Sequence, residues 1–143
     1  MAIYSLSVAS TVTTSGAASW DVRASASNEP AVMELGVMNG AATACTYGYG
    51  RSANTPTQTS PVTVLAEDVD RPAGLSTCAV AWSVAPTVPT QYHRRAFLPA
   101  TIGAGIIFTF PRGLILGAGG ASLVQWNVAA SSASVTVHVV LDE

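Results

Sequence analysis

The sequence predicts an all-β protein built as one domain over residues 1–143. Apolar and polar residues alternate with period two in many short segments, which is the pattern of half-buried strands. Turn signals rich in Gly, Pro and Asn separate these segments about every 8–12 residues, as in a β-sandwich or barrel. No window of about twelve residues has the apolar i, i+3, i+4 spacing of an amphipathic helix. A length of 143 residues fits a single domain with its own core.

The segment 110–128 carries the clearest local signals. Pro111 has no N–H to give to a sheet and Gly113 can adopt a positive φ, so we expect the chain to turn there. Residues 114–116 then form a short strand, the glycines of 117–120 reverse the chain, and residues 122–128 alternate as a second strand. The sequence therefore predicts one β-hairpin in this segment.

Further strands follow from the same alternation, and the strongest is 18–27, where Trp20 and Val22 share one face and Asp21 and Arg23 the other. Asn39-Gly40 is a type I′ hairpin dipeptide, so strands 32–38 and 45–50 should pair. The remaining predicted strands are residues 3–8 with a continuation to 14, 62–66, 77–84, 92–98, 106–110 and 135–141. We expect five large side chains on the apolar faces to be largely buried: Trp20, Leu35, Trp82, Phe108 and Trp126.

The segment 51–61 consists mainly of Ser, Asn, Thr, Pro and Gln. Such a composition predicts a surface loop or an extended arm, since it offers little apolar surface to bury. We expect this segment and the uncharged stretch 1–20 to provide extended contacts with other subunits.

Charge is scarce in this sequence. Charged residues make up 10% of the chain, against about 25% in an average protein. All six basic residues are Arg and none is Lys; Arg is preferred in interfacial ion pairs, whereas Lys is depleted from interfaces. The composition therefore indicates a homo-oligomer whose surface is mostly covered by other protein. A secreted protein, or drift of the composition toward Ala and Arg, is the alternative explanation.

Two partner classes are excluded by the same composition. The net charge of −2 and the lack of a basic cluster beyond Arg94-Arg95 argue against nucleic acid. The most apolar run, residues 96–110, contains Pro99 and two Gly and is shorter than the roughly 20 residues that span a bilayer. The uncharged N-terminal stretch lacks the basic region of a signal peptide. We therefore expect no membrane partner.

The sequence offers no catalytic, cofactor-binding or metal-binding residues to nominate. A nucleophile would need a His oriented by a carboxylate, but His93 adjoins two Arg that disfavour its imidazolium, and His138 lies between two Val. The acidic run 67–70 lacks the spacing of a calcium loop and is expected to be a solvated turn. The glycines of 117–120 lack the Lys and the helix of a phosphate loop.

Two further pairs have open alternatives. Cys45 and Cys78 could form one disulfide, but their strand-like, Ala-rich surroundings favour free buried thiols. Arg94 and Arg95 should point to opposite faces of a strand, so at most one of them serves any one partner. An interfacial ion pair and simple solvent exposure are both open for this pair.

Several segments resemble the virion jelly rolls of tailed phages, which have a tumour-necrosis-factor-like fold. The similarity runs through most of the chain and is carried by strand and turn residues. These are Met33-Glu-Leu-Gly-Val37, Tyr47-Gly-Tyr-Gly-Arg51, Gln58-Thr-Ser-Pro-Val-Thr-Val64, Trp82-Ser-Val-Ala-Pro-Thr-Val-Pro89, Arg94-Arg95, Phe110-Pro-Arg-Gly-Leu114, Leu123-Val-Gln-Trp-Asn127 and Asp142-Glu143.

This resemblance implies a single-domain jelly-roll β-sandwich that forms trimers. It further implies a non-enzymatic virion structural protein, a decoration or cement protein that binds the major capsid protein on the outer surface of a bacteriophage head. Such a protein would be found in the host cytoplasm during assembly. A tail or fibre module that binds a receptor or glycan is one alternative, although the loops here contain almost no aromatic residues, and a cellular trimeric ligand with no virion context is another. The warrant for these expectations is family analogy.

Overall fold

The computed structural model describes residues 2–13, 16–120, 122–129 and 133–143, and these residues form strands and no helix. The prediction of an all-β sandwich is confirmed. The strands are β1 (Ile3–Thr13), β2 (Ala18–Arg23), β3 (Ala31–Asn39), β4 (Cys45–Arg51), β5 (Thr57–Gln58), β6 (Val62–Thr63), β7 (Leu65–Ala66), β8 (Thr77–Ala79), β9 (Trp82–Val84), β10 (Arg94–Leu98), β11 (Gly105–Ile115), β12 (Ser122–Ala129) and β13 (Ala133–Asp142).

Two large antiparallel sheets face each other. The front sheet has five strands in the order β11-β3-β13-β1-β7, and the back sheet has six in the order β10-β4-β12-β2-β8-β6. A small third sheet pairs β5 with β9. Strands β10 and β11 therefore lie at one lateral side of the sandwich, and β6 and β7 lie at the other.

The core lies between the two sheets, where period-two alternation places apolar side chains. On β13 the residues Val135, Val137, Val139 and Leu141 are all buried, and the residues between them are partly exposed. On β4 the hydroxyl of Tyr49 donates a hydrogen bond of 2.6 Å to the side-chain oxygen of Gln125 on β12. Because this hydrogen bond satisfies the hydroxyl, the tyrosine can lie wholly inside the core.

The outer face of the back sheet is also covered. Residues between β4 and β10 fold over it, so that a side chain at Gly48 would collide with the ring of Tyr92 and one at Gly50 with Pro89. Residues 19–22 of β2 are consequently buried on both faces of the sheet.

The segment 51–61 belongs to this cover. It contains β5, and Arg23 on β2 donates a 3.1 Å hydrogen bond to the carbonyl of Pro56. It lies on the surface, as predicted, but it packs against its own domain and is not an extended arm.

Both predicted hairpins are wrong. Strand β3 pairs with β11 and β13, whereas β4 pairs with β10 and β12, so Asn39-Gly40 begins a crossover between the two sheets. The Asn39 side chain is buried, donates to the carbonyls of Thr43 and Pro99, and accepts a hydrogen bond from Tyr47. Through these hydrogen bonds Asn39 fixes the crossover to the core, and it does not form a two-residue hairpin turn.

The glycine run 117–120 makes the second crossover. Gly117, Gly119 and Gly120 all have positive φ, as a turn requires. The turn leads from β11 in the front sheet to β12, which pairs with β2 and β4 in the back sheet. A local glycine signal predicts the reversal but does not determine which sheet receives the next strand.

The predicted turn at Pro111 and Gly113 is a bulge inside β11. The register with β3 passes from Thr109↔Glu34 to Leu114↔Val32, so four residues of β11 lie opposite Met33. Gly113 has a φ of 67° at this irregularity. Proline is tolerated because β11 is an edge strand, where a missing N–H breaks no ladder bond.

Three of the five predicted buried side chains are buried: Trp20, Leu35 and Trp126. Trp82 and Phe108 are less completely buried than these three. Trp82 lies on β9 in the small outer sheet, and Phe108 lies on the edge strand β11. The Phe108 ring still contacts the Tyr49 ring edge-on, with 5.8 Å between the ring centroids.

A matched pair of leucines tests the core. We expect Leu35→Ala to lower the free energy of unfolding by about 2–5 kcal/mol, because Leu35 is wholly buried between the sheets. The control Leu75→Ala removes the same atoms from a side chain that is 58% exposed and should change stability by about 0.5 kcal/mol or less. Urea denaturation followed by tryptophan fluorescence measures both values. Equal losses in the two variants would contradict this placement of the core.

Candidate interaction surface

The outer face of the front sheet meets solvent and carries few charges. On β13 the outward residues Thr136, His138 and Val140 are partly exposed, while their neighbours along the strand are buried. Met38 on β3 and Ile107 on β11 lie on the same face, 45% and 59% exposed. A sheet face of this kind is normally packed against another layer.

The lateral side formed by β10 and β11 is also apolar. Both are edge strands, and edge strands leave backbone N–H and C=O groups free along one side. Phe97 on β10, Ile107 and Ile115 on β11, and Ile102 between these strands are all about half exposed or more. A long apolar edge is a place where another protein chain can bind.

Arg94 and Arg95 point to opposite faces of β10, as predicted. The Arg94 guanidinium lies 5.1 Å from the centre of the Phe110 ring, and that of Arg95 lies 5.5 Å from the centre of the Tyr92 ring. Such stacking holds each cation in place. No carboxylate in the described residues forms an ion pair with either arginine. The interfacial ion pair stays a prediction.

The two histidines have different surroundings. The pKa of His93 is lowered, first by partial burial and second by the charges of Arg51 and Arg94. The sequence predicted this effect from Arg94 and Arg95, and the structure has Arg51 in place of Arg95. His138 Nε2 lies 2.9 Å from Glu34 Oε1 on the outer face of the front sheet. His138 thus joins two neighbouring strands, and this arrangement does not itself point to a nucleophile.

The acidic run 67–70 is an exposed turn, as predicted. The Asp68 carboxylate accepts a 3.1 Å hydrogen bond from the backbone N–H of Asp70 and lies 3.8 Å from Arg71 Nε. Within the described ranges, no three His, Cys, Asp or Glu residues are grouped so that they could hold a metal ion.

Both cysteines are free and buried, as the sequence predicted. Burial raises the pKa of the Cys78 thiol, and the nearby Asp21 carboxylate raises it further. A thiol with a raised pKa is largely protonated at neutral pH and is a poor nucleophile.

No helix among the described residues is long and apolar enough to cross a membrane.

Asp21 is a buried carboxyl group that sequence analysis assigned only to the polar face of its strand. Its side chain accepts a 2.9 Å hydrogen bond from the Gln58 amide, and Gln58 in turn accepts one of 2.7 Å from Thr77. Among the described residues, Asp21 Oδ2 and the Trp82 indole nitrogen lack a well-formed hydrogen bond. Burial raises the pKa of Asp21 to about 6, although hydrogen bonds from the cover and the charge of Arg23 oppose this.

The raised pKa makes stability depend on pH. The folded protein holds the Asp21 proton up to a pH of about 6, whereas the unfolded chain loses it near 3.8. The contribution of Asp21 is therefore fully present below pH 4 and is lost as the pH rises through 6, by about 3 kcal/mol in total. We expect this loss in denaturation experiments between pH 4 and 7. Subtracting the profile of Asp21→Asn isolates it, and identical profiles for the two proteins would refute it.

No protein-family model and no curated protein matches this sequence. Two surfaces of this protein are open and rich in apolar side chains: the outer face of the front sheet and the β10–β11 side. Open apolar surfaces of this kind are typical of sites where other proteins bind.

Proposed function

We propose that this protein is a virion structural protein of a tailed phage, a decoration or cement protein that binds the outside of the head as a homo-oligomer. The observation that carries the proposal is the pair of open surfaces with exposed apolar side chains, on the front sheet and on the β10–β11 side. Exposed apolar patches on a protein surface mark sites of contact with other protein. The trimer, the phage and the capsid partner come from the resemblance of the strand and turn segments named above.

The strand order supports the proposed jelly roll. Strands β1, β3, β11 and β13 lie in the front sheet, and β2, β4, β10 and β12 lie opposite them. The chain therefore crosses repeatedly between the sheets, and the first strand pairs with the last. Interleaved Greek keys of this kind characterise jelly rolls.

The two segments expected to contact other subunits, 1–20 and 51–61, belong largely to the folded domain. Stretch 1–20 is not a free arm, because β1 lies between β13 and β7 inside the front sheet; Met1, Thr14 and Ser15 lie outside the described residues. Segment 51–61 packs on the back sheet. Contacts with a capsid would then use exposed surfaces of the folded domain rather than extended arms.

Light scattering tests the oligomer. We expect a mass near three times the 14.6 kDa of one chain at micromolar concentration. Ile107→Lys should shift the protein toward monomer, because it places a charge on the open front face. Val88→Lys is the control, since Val88 has a similar exposure of 45% but lies on the cover of the back sheet. A monomeric wild-type protein would contradict the proposal.

The capsid assignment is tested on particles that lack this protein. We expect added protein to bind heads saturably at many sites, to appear at local symmetry axes of the shell in an electron-microscopy reconstruction, and to raise the temperature at which heads release DNA. Saturation at a few copies on a tail tip, or retention on a glycan array, would instead favour the receptor-binding alternative. Lack of binding to the heads would overturn the cement role.

A further inference from the structure

Opposite charges lie at opposite lateral sides of the sandwich. Arg94 and Arg95 on β10 and Arg112 on β11 place three of the six arginines at one side. Glu67, Asp68 and Asp70, three of the eight acidic residues, directly follow β7 at the other side. On the acidic side Arg71 pairs with Asp68, so Glu67 and Asp70 supply the charge opposite to that of the arginines, and the two sides have complementary potentials.

Two arginines of the basic side lie around a hollow in the surface. Arg94 and Arg112 line a shallow hollow together with Phe110, Pro111 and Gly113 of the β11 bulge. Phe110 is buried, and Arg94 stacks over its ring, so the cation is held before any partner arrives. Arg112 is exposed, and neither arginine has a carboxylate partner among the described residues.

The acidic side combines charge with exposed apolar side chains. Glu67 and Asp70 are exposed, and the side-chain oxygens of both lack a protein hydrogen bond in the described structure. Val69 between them is 93% exposed, and Leu65 on β7 is 62% exposed. The basic side matches this mixture with Phe97, Ile107 and Ile115 beside its arginines.

We propose that the partner of the β10–β11 side is the 65–71 segment of a second copy of this chain. This inference rests on the homo-oligomer in the proposed function and specifies its contact. Because the two matching surfaces lie at opposite sides of one molecule, the contact is heterologous, and repeated contacts close a ring when the rotation between copies allows it. Apolar residues such as Val69 and Phe97 supply burial, and carboxylate–guanidinium pairs set the orientation.

Charge reversal tests the contact. The double variants Arg94→Glu/Arg112→Glu and Glu67→Arg/Asp70→Arg should each weaken self-association at least 10-fold in analytical ultracentrifugation at low salt. The variant that carries all four changes should regain most of the wild-type association, because the charges are complementary again. Val88→Arg is the control, since this exposed residue lies on the cover of the back sheet, and it should associate like the wild type.

The outcomes separate the two proposals. A wild-type protein that is monomeric overturns the homo-oligomer itself and this contact with it. An oligomeric wild-type protein whose double variants associate normally overturns only the charge-paired contact. Arg112→Glu alone preserves the Arg94–Phe110 stack, so weakened association in this variant together with an unchanged circular dichroism spectrum rules out misfolding as the cause. A quadruple variant that stays dissociated also counts against direct pairing.

Discussion

The central constraint on this fold is the position of β13 in the middle of the front sheet. Its register runs from Ile3↔Asp142 to Ser10↔Val135 with β1, and it pairs over a similar length with β3. The front sheet therefore cannot close until strands far apart in sequence have met, which is a costly loop closure. The Glu143 carboxylate secures this arrangement through hydrogen bonds from Asn28 and from the backbone of Leu75 and Ser76.

The two sheets differ in what covers their outer faces. The segment between β4 and β10 covers the back sheet, which explains why Trp126 is 1% exposed although it faces away from the main core. The same cover buries Asp21 and raises its pKa. The front sheet has a face that remains open to solvent. Intramolecular packing thus leaves exposed apolar side chains on the front sheet and the lateral sides.

Period-two alternation was sufficient to predict most strands, because the pleat itself places alternate residues on opposite faces. Sheet membership could not be predicted in the same way. Asn39-Gly40 and the glycines of 117–120 mark reversals correctly, yet both lead to the opposite sheet. The burial of Asp21 also escaped prediction, since it depends on β5 and β9, which follow later in the chain. The opposite orientations of Arg94 and Arg95 on β10 could be predicted from the period-two alternation alone.

The free energies of burial and association show why charged pairs would matter at the proposed contact between copies. Burying the exposed parts of four side chains such as Phe97, Ile107, Leu65 and Val69 would contribute at most about 1.5–3 kcal/mol each, or roughly 6–12 kcal/mol together. Association costs about 4–15 kcal/mol in lost freedom of motion. Apolar burial alone therefore leaves little surplus and does not fix the orientation of one copy against the next. A few guanidinium–carboxylate pairs would supply that orientation, which gives a physical role to arginines in a chain without lysine.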